Sequence, residues 1–168
     1  MKISIRQINE NDWQDFRELR LKALRSDPKV FGSNYEREKN KSKLDWKEWV
    51  GEKHQAIFFL YDGEKLIGMT GVFIPQDTVE KSTAYLWGSW LEQGYRRKGL
   101  SELMYKARID WAKGNPSIRR IVVSHRESNS ASKFANQKHG FVESHRSQKD
   151  WVDGSTEDEV FYALTLKP

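Results

Sequence analysis

Residues 86–111, LWGSWLEQGYRRKGLSELMYKARIDW, constrain the fold more than any other stretch. A strand-like apolar run gives way to a turn bearing Arg96, Arg97, Lys98 and Gly99. In the segment that follows, Leu100, Leu103, Met104, Ala107 and Trp111 recur at helical spacing. A helix start leaves backbone N–H groups without intrahelical partners, and the aligned peptide dipoles add positive potential there. Gly99 allows close approach to the backbone, and three adjacent cations complement negative charge. The stretch reads as an anion site suited to a phosphate or pyrophosphate; a solvated basic turn is the plainer reading of the same residues. A P-loop is excluded. Gly94 and Gly99 have four residues between them, but Leu100 and Ser101 follow where that motif needs Lys and then Ser or Thr.

The 168 residues read as one domain, 1–168, long enough for a real core. With no cysteine, a disulfide framework, a thiolate metal site and a cysteine nucleophile are all excluded. The opening MKISIRQINEND lacks the apolar run of a signal peptide, and no stretch approaches about 18 apolar residues. A soluble cytoplasmic protein with no membrane partner is expected. The net charge is +5, but 24 acidic residues are interspersed with 29 basic ones. That balance favours a small anionic ligand over a nucleic-acid surface.

Ile3, Ile5 and Ile8 predict a first strand, with Asn11 or Asp12 capping a helix striped by Trp13, Phe16, Leu19 and Ala23. The polar stretch from Val30 to Ser42 reads as a loop, and 44–50 as a shorter helix. The period then changes: 56–61 and 66–74 are β-rich runs joined by Asp62-Gly63-Glu64-Lys65, a hairpin signal. A strand over 83–91, the basic turn and the long helix follow, and Gly114-Asn115-Pro116 ends that helix. Residues 120–124 form a further strand. A helix over 129–139 carries Ala131, Phe134, Ala135 and Lys138 on one face, and 141–146 and 160–166 are the last strands. The order is β α α β β β α β α β β. Its right-handed strand–helix–strand crossover makes 83–91 and 120–124 parallel neighbours, so a ligand is expected beyond their carboxyl ends.

Arg96-Arg97-Lys98-Gly99-Leu100-Ser101 resembles the R/Q-x-x-G-x-G/A signature of the GNAT superfamily of N-acetyltransferases, with Ser101 in the last small position. Asn129 opening the next helix and Gly140-Phe141 closing it resemble a second family landmark, and the likeness spans nearly the whole chain. It implies an α/β fold: a mixed, mostly antiparallel sheet of about seven strands flanked by about four helices, with a parallel pair splayed at the acyl-CoA site. It also implies acetyl-CoA as cosubstrate. Backbone groups of Arg96, Arg97, Lys98, Gly99, Leu100 and Ser101 would hold its pyrophosphate. Trp90, Leu91 and Glu92 would pair with the pantetheine arm, the Leu91 N–H meeting the thioester oxygen. Asn129 would bond the arm from the other side, although a plain helix N-cap is an equal reading. Members of the family often pair through their C-terminal strands, so a homodimer is a further expectation.

Amine acetylation must free a lone pair. A primary amine with a pKa near 10.4 gives up its proton at pH 7 at a cost of roughly 4–5 kcal/mol. A base must receive that proton. Glu92, next to the residue facing the thioester, is the first candidate, and an ordinary strand-end glutamate is its plainer reading. His125 at the end of the next strand is the second, since imidazole titrates near neutrality; a packed neutral histidine is the alternative there. Many family members carry Tyr seven residues after the Asn. Asn136 stands there instead, and an amide hydrogen-bonds a thiolate but supplies no proton. Tyr105 and Tyr95 are the nearest substitutes. The departure also leaves open a domain that binds acyl-CoA without catalysis. The acceptor, a small-molecule or peptide amine, is expected among Phe31, Tyr35, Trp46, Glu36 or Glu38 and the turn 151–157.

Overall fold

The computed structural model describes residues 1–167. Seven strands form one sheet in the order β1-β2-β3-β4-β5-β7-β6. They are β1 Ile3–Gln7, β2 Gln55–Asp62, β3 Lys65–Phe73, β4 Thr83–Leu91, β5 Arg120–Arg126, β6 Val142–Asp150 and β7 Thr156–Thr165. All neighbours run antiparallel except β4 and β5. The helices are α1 Trp13–Ser26, α2 Tyr35–Glu38, α3 Lys43–Gly51, α4 Ser101–Lys113 and α5 Ser130–Lys138. The mixed, mostly antiparallel architecture and the single parallel pair are as expected. Among the described residues no helix is long and apolar enough to cross a membrane.

Each face of the sheet buries its own core. On one, α1 and α3 cover β2–β4 through Phe16, Trp46, Phe59 and Met69, with Phe16 edge-on to both Trp46 and Trp49. On the other, Tyr105 and Ala112 of α4 pack with Val72, Ile121, Phe141 and Tyr162.

Five details differ from the sequence reading. Asp12, one of the two residues expected there, stands at the N-cap of α1 but makes no capping hydrogen bond with its side chain; the first helical segment starts earlier, at Asn9, the N-cap of a 3-10 turn over Glu10–Asp12 that runs into α1. The 30–42 stretch contains α2, a fifth helix, because Asn34 caps it and Glu38 is drawn inward by two hydrogen bonds from Arg20 of 2.8 and 2.9 Å. On α4 the fully buried positions are Met104, Tyr105, Arg108 and Ala112, while Leu103, Ala107 and Trp111 are half-buried. On α5 the outcome is inverted: Phe134 is 71% exposed and Asn136 only 1%. Finally, β6 and β7 are longer than predicted, because pairing with β7 sustains a β6 whose own sequence is polar.

Two local features shape the site. The β4–β5 ladder holds only from Thr83 to Tyr85 against Arg120 to Val122. Beyond it the strands part. On its other edge β4 pairs with β3 at Trp87↔Gly71 and Trp90↔Met69, so Gly88 and Ser89 stand opposite Thr70 alone. This is a bulge, and Gly88 takes the left-handed φ of 65° that such an extra residue demands. Gly71 has no side chain where the Trp87 indole crosses, and an added Cβ would lie 2.5 Å from its Nε1.

Candidate functional site

The parting of β4 and β5 opens a cleft of about 240 Å³. Ser89, Trp90 and Leu91 of β4 form one wall, Asn129 and Ser132 at the start of α5 the other, and Met104, Tyr105 and Arg108 of α4 line it as well. The cleft continues into a recess of about 100 Å³ bounded by Phe31, Trp87, Ser124, His125 and Asn136. Ser89, Tyr105, Arg108, Asn129 and Ser132 line both spaces and so mark their junction.

At the mouth, the chain curls into α4 through two left-handed residues, Arg97 (φ 61°) and Gly99 (φ 77°). No side chain caps α4; the Glu102 amide donates to the Gly99 carbonyl at 3.2 Å, which leaves the neighbouring Ser101 amide for a ligand. A Cβ at Gly99 would meet nothing within 4 Å, which leaves the backbone bare on that side. Arg97 and Lys98 are exposed beside it. These features fit a diphosphate. The Arg96 side chain does not remain a free cation: it donates to Asp27 through both terminal nitrogens and from Nε to the Leu91 carbonyl at 2.9 Å. Asp27 also accepts from the Trp90 indole, and Arg96 foremost holds its carboxyl below the usual range.

Leu91 has a definable role in the gap. Glu92 N donates to Ile67 O on β3 at 2.9 Å, and successive strand amides face opposite edges. The Leu91 N–H therefore points away from β3, toward the space β5 has left. Asn129 caps α5 by accepting from Ser132 N at 3.1 Å, so the plain capping role is realised at a position that also lines the cleft.

The two candidate bases separate clearly. Glu92 forms ion pairs with Lys22 and with Lys65, the latter at 2.7 Å, and these hydrogen bonds, led by Lys22, lower its pKa. It lines an adjoining groove with Lys22, Gln93 and Arg96 and is not among the residues lining the cleft itself. A carboxylate so stabilised in its charged form is a weak proton acceptor, which argues against it as the base. His125 is 6% exposed and stacks on Tyr162 with ring centroids 5.3 Å apart. Its Nδ1 lies 2.7 Å from the Arg126 carbonyl, which only accepts, so Nδ1 is the donor and, in the neutral ring, Nε2 holds the lone pair. Nε2 is buried and has no partner among the described residues.

Asn136 lies beside the same recess. Its Oδ1 accepts from the Tyr105 hydroxyl, while Nδ2 is buried and unpartnered. Burial raises the Tyr105 pKa, keeping the phenol neutral. Sequence reasoning overlooked Arg108, whose position among apolar helix residues was the available signal. Of the expected acceptor walls only Phe31 lines the recess: Trp46 is core, Glu38 is consumed by Arg20, and Tyr35 bonds Arg25. Glu157 of the 151–157 turn is likewise occupied, accepting from Ser128 N and Oγ.

The family model described as Acetyltransferase (GNAT) family matches residues 12–141. No curated protein matches the chain at a significant level. Among solved structures, a GNAT-family acetyltransferase from Streptococcus pneumoniae superposes with a TM-score of 0.83 at 18% identity, over 98% of this chain and 99% of its own. The yncA protein of Salmonella typhimurium, solved with its cofactor acetyl-CoA, gives 0.83 at 15% identity over 100% and 96%. An N-acetyltransferase from Staphylococcus aureus gives 0.82 at 20% identity over 99% and 100%. At these identities the likeness is one of fold.

Proposed function

Because the chain belongs to the GNAT acetyltransferase family, we propose that it transfers an acetyl group from acetyl-CoA directly to a primary amine, with His125 as the base. When bound, the coenzyme supplies a thioester whose acyl carbon is open to attack. Residues Arg96–Ser101 and the uncapped start of α4 hold the diphosphate by backbone N–H groups, with Arg97 and Lys98 adding charge. Trp90, Leu91 and Glu92 offer the pantetheine arm a strand edge, and Asn129 borders it opposite. The Leu91 N–H, already fixed by the β3–β4 ladder, donates to the oxygen on which charge develops. His125 Nε2 accepts the amine proton, and the Arg126 carbonyl keeps the tautomer that leaves Nε2 free.

One observation carries this reading: a buried histidine with an unpartnered Nε2 lines a recess that opens from a cleft fitted to the coenzyme. Trp87 stands between that recess and an aromatic groove of about 570 Å³ bordered by Trp49, His54 and Phe73. The test is titration with acetyl-CoA followed by thiol release across a panel of small and peptidyl amines. Amine-dependent release above background hydrolysis is expected. Tight binding with no release for any amine would instead describe a non-catalytic acyl-CoA-binding domain.

A further inference from the structure

Three arginines are buried among the described residues: Arg20, Arg108 and Arg126. Glu38 holds Arg20 with two hydrogen bonds, and Asp153 holds Arg126 at 2.8 Å. Arg108 has no such partner. It is 2% exposed, its Nε donates to the Met104 carbonyl of its own helix at 3.0 Å, and its guanidinium carbon lies 4.7 Å over the Tyr105 ring. Among the described residues no carboxylate pairs with it. A buried cation without a counter-charge is costly to a fold, and the cost is offset when a ligand brings the missing negative charge. Burial pushes the guanidinium down only to about 10, so it is charged at neutral pH.

The location says which negative charge. Arg108 lines both the cleft and the recess, at their junction. Asn136, whose Nδ2 also lacks a partner, stands on the recess side of that junction. On the proposed coenzyme reading the pantetheine arm runs past Leu91 and Asn129, and Asn129 lines that junction, so the sulfur at the end of the arm comes to it. We propose that Arg108 is a catalytic residue that holds the leaving sulfur as its thiolate, with Asn136 Nδ2 as second donor.

This inference rests on the proposed coenzyme site and not on the identity of the acceptor. In the step concerned, the amine nitrogen bonds to the acyl carbon and the carbon–sulfur bond breaks. The bonding pair stays on sulfur, and the amine proton passes to His125. Arg108 neutralises the sulfur without giving up a proton, so no acid is needed where Asn136 stands.

The test is a pH titration of CoA bound to the whole protein, followed by thiolate ultraviolet absorbance. The complex with CoA lacking its sulfur serves as blank, which also removes any titration of Tyr105, His125 and His139 around the site. The bound thiol is expected to titrate roughly one to three units below free CoA, as for a group beside an opposite charge. Arg108→Met should abolish the depression while the sulfur-free analogue binds as before, and Arg108→Lys should retain part of it. A wild-type thiol titrating at or above the free value would overturn the proposal, as would a depression that survives Arg108→Met. Preference for succinyl-CoA over acetyl-CoA that disappears in Arg108→Met would assign the guanidinium to an acyl carboxylate instead. Should wild type fail to bind CoA, the coenzyme site itself falls, and this inference with it.

Discussion

The Asp27 carboxylate accepts hydrogen bonds from Arg96 Nη1 at 3.1 Å, Arg96 Nη2 at 2.6 Å and the Trp90 indole at 2.7 Å, beside a local one from the Ser26 hydroxyl at 3.0 Å. The end of α1 is thereby tied to the end of β4 and to the basic turn, across the mouth of the cleft. A residue that the sequence offers as a diphosphate-binding cation serves in the fold as a clasp. Its positive charge is spent on a neighbour, while Arg97 and Lys98 remain open to a ligand.

The clasp makes acid stability partly dependent on Asp27. Its folded pKa lies below the unfolded value of about 3.9, so its contribution is fully present above that value. As pH falls through the depressed folded pKa, the contribution is lost. Asp27→Asn should lower stability by about 1 kcal/mol at pH 7, discounted for the partial exposure of both partners. Urea unfolding across pH should show the two proteins converging in acid. Equal midpoints at pH 7 would mean that the clasp contributes nothing.

Gly71→Ala probes how the recess keeps its shape. The new Cβ would collide with the Trp87 indole, which stacks on Trp49 with centroids 5.6 Å apart and so has little freedom to retreat. Overpacking of this kind costs roughly 1–3 kcal/mol. Gly94→Ala, whose Cβ meets nothing within 4 Å, is the control and should be nearly neutral. Thermal unfolding of the pair measures the difference.

At Gly99 charge and strain can be told apart. Any side chain there is disfavoured by the φ of 77°, at roughly 1–2 kcal/mol, although its Cβ has open space. Gly99→Ala should therefore lose stability but bind CoA within a few-fold of wild type. Gly99→Glu adds a carboxylate where the diphosphate belongs and should abolish binding with the fold intact. Calorimetric titration alongside circular dichroism reads both quantities, and unchanged affinity in the Glu variant would refute the anion site.

The framework was legible because β2 to β5 and α1 announce themselves by apolar periodicity, and Asp62-Gly63 and Gly99 by their turn chemistry. The misses share one cause. Periodicity sorts polar residues outward, and a polar side chain turned toward an internal cleft carries the same signature. Arg108 was passed over on that account, periodicity turned Phe134 inward, and Asn136 was singled out only through the family resemblance. The sequence β6 VESHRSQKD has no apolar face, so its extent depends on β7, and no local pattern reports that. The state of Glu92 depends on Lys22 and Lys65, which reach it from α1 and β3 only once the sheet has formed.

That last point separates the two candidate bases by experiment. Glu92→Gln removes two ion pairs made with largely exposed lysines, at roughly 1 kcal/mol of stability, and should leave kcat/KM within a few-fold of wild type. His125→Gln removes the buried Nε2 lone pair and should lower kcat/KM by roughly 10²- to 10⁴-fold with acetyl-CoA affinity preserved. Glu92, its pKa lowered foremost by Lys22 and then by Lys65, is already ionised near neutral pH, so Glu92→Gln should leave the shape of the pH profile there unchanged. Steady-state rates of both variants on one productive amine decide the matter: a large loss in Glu92→Gln with His125→Gln near wild type would return the proton to the carboxylate.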